Sequence, residues 1–180
     1  MTTIPLLLIQ GHNAYVEYQA DQSRNCHLAL GKAKLPVNKE TYDDVQLAGV
    51  NGSMEMRTGA EACMLGFDLK GMQPDILPLT QLPMGERLKV TIFGVLVNEY
   101  AEGAAEREIQ VTATAYGRLN AEIGEFTTGP MGTDFELRSI SKYNLVVRTE
   151  EMCRWNVKLG GWQSIGGQRT RFNQMLGIVG

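Results

Sequence analysis

Residues 35–58 read LPVNKETYDDVQLAGVNGSMEMRT. The nine residues before them, CHLALGKAK (26–34), alternate as a strand does, and SMEMRT (53–58) reads as another. Between the two lies a polar insert, 37–50, whose apolar residues Val45, Leu47 and Val50 follow no helical period. A hairpin turn needs only about two to five residues, and a longer loop in a compact domain is functional or disordered. Apolar side chains that need burial argue against disorder here. The insert therefore asks for a partner surface that the local sequence does not supply.

On both sides of this stretch the chain alternates with period two. Cys26, Leu28 and Leu30 share one face; so do Cys63, Leu65, Phe67 and Leu69. Leu88, Val90, Ile92 and Leu96 oppose Arg87, Lys89 and Thr91. In 107–117, Ile109, Val111, Ala113 and Ala115 oppose Glu108, Gln110, Thr112 and Thr114. Phe135, Leu137, Tyr143, Leu145 and Val147 continue the pattern, followed by Cys153, Trp155, Val157 and Leu159. Strands apolar on one side and polar on the other suit sheets with one face on a core and one face wet. Several of them, separated by turn signals, predict an all-β sandwich or barrel. Helix is expected only in 74–82, which Pro78 weakens, and in 168–176, where Phe172, Met175 and Leu176 fall at helical spacing before Gly177. No internal repeat or linker divides the 180 residues, so 1–180 reads as one domain.

Composition narrows the function classes. The chain is 43% apolar and 21% charged with a net charge of −3, which gives no basic footprint for gripping nucleic acid. No apolar run reaches the ~20 residues that span a membrane. The start, MTTIPLLLIQGHN, lacks a basic region and a cleavage site and reads as mature protein. Charge is uneven: 99–136 holds eight acids against Arg107 and Arg118, and 148–180 holds five bases against Glu150 and Glu151. These are either two solvated faces or complementary surfaces of neighbouring copies.

Nothing in the chain reads as catalytic. Asp43 and Asp44 are adjacent carboxylates, but no histidine or lysine stands near to tune them. GGWQSIGGQ (160–168) has neither phosphate-loop spacing and reads as turns, and Asn51-Gly52 reads as a tight turn. No cofactor and no metal ligand set is expected, since the three cysteines form no CxxC and the two histidines lack a neighbouring ligand. Cys63 and Cys153 fall on apolar faces and read as core, whereas Cys26, at a strand start, is expected to be the accessible thiol. The polar face Glu108, Gln110, Thr112 and Thr114 reads as a smooth, faintly acidic wall. Such a wall repels a polyanion and offers it nothing to stack on.

The order of these segments resembles the major tail tube proteins of contractile-tailed bacteriophages and the tube proteins of R-type pyocins. LALGKAKLPVNKETY with LAGVNGSMEMRTG is similar to the family's strand, arm and turn; ACMLGFDLKG to its next strand; EIQVTATAYGRLNAEIGEFTTG to its long strand and linker; FELRSISKYNLVV to the strand after; and GQRTRFNQMLGIVG to its closing helix. Lys39, Glu40, Thr41 and Tyr42 are adjacent, unlike the family's usual spacing, and the first 25 residues match poorly.

The resemblance implies two packed antiparallel sheets with a flanking short helix and a long hairpin arm. It implies six-membered rings stacked into a tube, with 37–50 (Lys39, Tyr42, Asp43, Asp44, Val45, Leu47, Val50) as an arm reaching a neighbouring copy and Glu108, Gln110, Thr112 and Thr114 facing the lumen. The implied partners are further copies of itself, the tail sheath, tape measure, baseplate and tail terminator proteins, and viral DNA that passes without specific binding. The implied place is the virion tail, assembled in the host cytoplasm, with no membrane insertion of its own. The alternatives are the tube of a pyocin-like particle or of a type VI-like secretion system. A lipocalin-type binder would need an apolar lumen that these one-sided strands do not offer.

Overall fold

The computed structural model describes residues 5–19, 22–46, 51–125, 131–163 and 175. Within them run strands β1 (Leu7–Glu17), β2 (Ser23–Asn25), β3 (Leu30–Lys34), β4 (Glu40–Val45), β5 (Met54–Ala60), β6 (Leu65–Lys70), β7 (Leu88–Asn98), β8 (Glu108–Ile123), β9 (Gly132–Val147), β10 (Glu150–Asn156) and β11 (Gly161–Gln163). Helix is confined, among the described residues with named elements, to α1 (Ala104–Arg107) and 3-10 turns at Leu77–Gln81 and Val157–Leu159. No helix among the described residues is long and apolar enough to cross a membrane.

Nine strands share one antiparallel hydrogen-bonded sheet in the order β11-β10-β9-β8-β7-β1-β2, with β6 on the first half of β9 and β3 beyond β6. The long hairpin β8–β9 carries the architecture. Val111–Tyr116 pair with Lys142–Val147, and Arg118–Ile123 pair with Thr133–Arg138, with a register break between. At the break Ser139 adopts a left-handed φ of 51° and Gly117 lies under the crossing chain. A bend in strands that continue from one layer into another makes the corner of a two-layer β structure. One layer is β2-β1-β7 with the first half of β8, the second half of β9, β10 and β11. The other is the second half of β8, the first half of β9, β6 and β3.

One core fills the space between the layers. Ala14, Val16, Val90, Ile92, Ala113, Ala115 and Tyr143 from the first meet Leu65, Phe67, Leu69, Phe135 and Leu137 from the second. Phe67 stacks on Phe135 with centroids 5.3 Å apart, and Trp162 meets both Tyr143 and Trp155 edge-on. Trp155 packs against this core as expected, and its indole N–H donates to the Ile140 carbonyl at 2.8 Å.

Several expectations fail for physical reasons. The strand expected from Cys26 begins only at Leu30; residues 27–29 form a turn closed by the Ala29 and Leu30 N–H groups on the Cys26 carbonyl, and Leu28 is 96% exposed. The helix expected in 74–82 is reduced to the 3-10 turn, because Pro78 lacks the N–H that an α-helix needs there. Leu96 is half-buried and Val97 is buried. The poorly matched N-terminus holds β1, eleven residues paired along β7 with a bulge between Ile9 and Gly11. The closing helix expected in 168–176 lies outside the described residues except for Met175, as do Leu47 and Val50 and most of the Gly-rich stretch after Gly161.

Candidate functional site

The insert 37–50 contributes one strand to a larger element. β4, inside it, pairs with β5, outside it, in the register Tyr42–Arg57, Asp43–Met56, Asp44–Glu55 and Val45–Met54. Among the described residues these two strands form their own sheet, hydrogen-bonded to no strand of the main one. The expected hairpin arm is a two-stranded ribbon of Glu40–Val45 and Met54–Ala60, extending beyond 37–50. SMEMRT is a strand as expected, but it pairs with the arm and not with the body.

The ribbon is held at its base and open at its sides. Lys39 Nζ sits 2.5 Å from Glu61 Oε1, and the Glu61 N–H donates to the Lys39 carbonyl. Arg57 Nε lies 2.9 Å from Glu40, which also accepts the Tyr42 hydroxyl at 2.7 Å; that bond raises the Tyr42 pKa. Pleat alternation places Val45, Met54 and Met56 with Asp43 on one face, and Tyr42, Asp44, Glu55 and Arg57 on the other. Tyr42, Met54 and Met56 are each about half exposed, and Asp43 and Asp44 are exposed. An isolated two-stranded ribbon is marginal in water. This one carries apolar side chains that its own chain leaves uncovered.

The second surface is the outer face of the first layer. Glu108 and Gln110 are exposed and Thr112 and Thr114 half-buried, all on the face away from Ala113 and Ala115. Cross-strand register extends this face across the layer: Tyr15, Thr91, Thr114, Asn144, Arg154 and Gln163 stand in one row. The next row holds Glu17, Lys89, Tyr116, Lys142 and Asn156, and the row on the other side Asn13, Phe93, Thr112, Val146 and Glu151. Glu17 and Lys89 pair at 2.8 Å and Arg154 and Glu151 at 2.6 Å. The wall is therefore not faintly acidic. Glu17, Glu108 and Glu151 are balanced by Lys89, Lys142 and Arg154, and Tyr15, Phe93 and Tyr116 put rings on it. One strand read alone shows little of this, because all of these residues except Glu108 and Tyr116 belong to β1, β7, β9 and β10.

The thiols are placed differently from the expectation. Cys26 is 5% exposed and burial pushes its pKa up to about 11; Cys63 is equally buried and is pushed up to about 12. Cys153 is the half-buried one, with its pKa raised by burial. Cys26 sits inside because its N–H donates to the Ala14 carbonyl, drawing the turn against β1. Among the described residues no three His, Cys, Asp or Glu side chains are grouped to hold a metal ion.

No curated protein matches the sequence. A chain of the anti-feeding prophage baseplate, determined by cryo-EM with sixfold symmetrisation, is similar with a TM-score of 0.45 and 10% identity, covering 81% of this chain and 97% of that one. The family model described as phage tail tube protein FII matches residues 16–158, which runs from the end of β1 through β10. The chain belongs to the phage tail tube protein FII family, and is a structural component of a phage tail rather than an enzyme.

Proposed function

We propose that the protein polymerises as six-membered rings stacked into the inner tube of a contractile tail, a conduit through which DNA crosses the host envelope. The observation that carries this reading is the ribbon β4–β5, which among the described residues shares no sheet with the body and exposes Tyr42, Met54 and Met56. A surface of that kind is stable when another copy covers it. In this reading residues 1–180 form one tail-tube domain and 37–50 belongs to the inter-subunit arm. The face of Glu108, Gln110, Thr112 and Thr114 lines the lumen. The tube associates with the sheath around it, the tape measure protein inside it, and the baseplate and tail terminator proteins at its ends; assembly occurs in the host cytoplasm.

Purified protein tests this directly. Gel filtration over a range of concentrations is expected to show a rise from monomer to large assemblies. Negative-stain images are expected to show sixfold rings or hollow tubes. A monomer at every concentration, with no tube or ring in the images, would sink the reading.

A further inference from the structure

Two cross-strand rows build a groove on the outer face of the first layer. One row is Thr114, Asn144 and Arg154, and the next is Tyr116, Lys142 and Asn156, each carried across β8, β9 and β10. These six side chains line a depression of about 400 Å³. They supply an ammonium, a guanidinium, two hydroxyls and two amides, and no carboxylate lines the groove. In a chain of net charge −3 this is a local reversal of sign. Facing residues in such rows stand about 5 Å apart and diagonal ones about 7 Å, so Tyr116, Lys142 and Arg154 can converge on one bound group.

Most of these donors are uncommitted. Lys142 is exposed and in no ion pair among the described residues, whereas Lys89, across Tyr116 from it, is tied to Glu17. Arg154 donates to Glu151 through Nε at 2.6 Å, and its terminal nitrogens donate to no other group among the described residues. The Asn156 Oδ1 accepts the Lys158 N–H, which leaves its NH2 for the groove. The Asn144 Oδ1 is buried without a hydrogen-bond partner, so its amide is free to turn and present N–H instead. Ammonium, guanidinium, hydroxyl and amide donors are the set that contacts nucleic-acid phosphates, whereas reading base edges needs an element that enters a groove of the duplex. Resting on the tube reading above, which supplies the cargo, we infer that this groove holds a backbone phosphate of duplex DNA. Lys142 and Arg154 meet its charge, and Tyr116 and Thr114 donate to its oxygens. Duplex DNA carries a charge about every 1.7 Å, so a phosphate is in reach wherever the helix stands, and the contact favours no sequence. One unpaired cation per subunit makes the contact weak and salt-labile, as a duplex that must keep moving requires.

Purified protein and a short fluorescent duplex test the site, with binding read by anisotropy at several salt concentrations. Binding is expected at low salt, its logarithm falling linearly with the logarithm of the salt concentration. Lys142→Gln is expected to weaken it about tenfold at low salt and to lower the salt slope by about one, the loss of one phosphate contact. Lys32→Gln removes the same charge from an exposed position on the other layer and is expected to change neither. Both lysines are exposed, so neither change disturbs the core. Lysine acetylation read by mass spectrometry locates the contact. The duplex is expected to protect Lys142 and leave Lys32 reactive, and inorganic phosphate at the same phosphate concentration to protect neither. Protection of Lys142 by inorganic phosphate as strong as that by the duplex would make the groove a small-anion site and overturn the inference. Equal losses from the two variants, or no duplex binding at any salt, overturn it as well; tubes or rings in the negative-stain images then leave the tube reading standing. Protection of Lys142 with the expected change of slope, but without tubes or rings, upholds the groove and counts against the tube. No binding and no tubes overturns both.

Discussion

Gly117 has no room for a side chain. A Cβ built there would stand 2.7 Å from the Arg138 carbonyl oxygen and 2.9 Å from Leu137 Cγ, so backbone as well as side chain would have to move. This is the corner where β8 and β9 pass from one layer to the other. Gly117→Ala is expected to destabilise the monomer by about 1–3 kcal/mol, the usual cost of overpacking a fixed core. Urea unfolding followed by circular dichroism checks it, and an unchanged midpoint would show that the corner relaxes freely. The thiols give a second expectation at this scale. Cys153 is expected to label first in native protein, with Cys26 and Cys63 labelling only on unfolding. Their raised folded pKa values, about 11 and about 12 against an ordinary 9.0, also fix a sign. Above pH 9 the unfolded chain releases thiol protons that the folded chain keeps. Stability is therefore full below pH 9 and falls as pH rises through the folded values. Cys63→Ala should flatten the alkaline part of a midpoint-against-pH curve; an equally steep curve in the variant would assign the fall to other groups.

In the proposed tube the ribbon β4–β5 serves assembly rather than folding of its own body. Replacing residues 38–61 by a short Gly-Ser turn leaves the β3–β6 pair intact and removes no buried core side chain, because the core begins again at Cys63. The expected product is a β-rich monomer that unfolds cooperatively near the midpoint of the full chain and makes no tubes. Loss of the β signal, or normal tubes, would contradict this. Cutting only 37–50 is a different experiment, since it leaves β5 as an unpaired apolar edge and invites aggregation. That distinction shows what the sequence made legible. β6 through β10 were readable because each has one face in the core and one in water, so Leu65, Phe67 and Leu69, or Ala113 and Ala115, alternate cleanly. The ribbon's existence was readable as an insert with nothing to pack on. Its pairing was not, because neither ribbon face meets a core and the alternation carries no burial signal. β1 escaped because the bulge at Ile9 to Gly11 breaks its period, and apolar residues at Leu6, Leu8 and Ile9 remain exposed beyond the core. Cys26 and Leu28 alternate as in a strand but lie in a turn, where backbone bonding to the Cys26 carbonyl overrides pattern.

At the scale of the whole molecule, what matters for a conduit is the sum over the wall and not the composition of one strand. The polar face was partly legible: Glu108, Gln110, Thr112 and Thr114 do share it, but its charge balance depends on register with four other strands. With Glu17 tied to Lys89 and Arg154 to Glu151, the face carries compensated charge, which in the proposed tube is what the cargo would meet. On the proposed lumen face Tyr15 and Phe93 stand beside Thr91, Asn13 and Thr112, whereas Tyr116 stands between Lys89 and Lys142. Gln110→Lys with Thr112→Lys adds two positive charges per subunit to the centre of this face without touching the core side of β8. Rings and tubes are expected to form as before. Phage carrying the change are expected to attach normally but eject DNA more slowly, because each added cation is a further phosphate contact to break. The delay should shrink as salt rises, following the release of condensed counterions. Ejection timed by dye fluorescence at several salt concentrations reads this out. A delay independent of salt would point to a steric cause. Unchanged ejection, with both lysines reactive from outside the assembled tube, would place the face on the tube exterior.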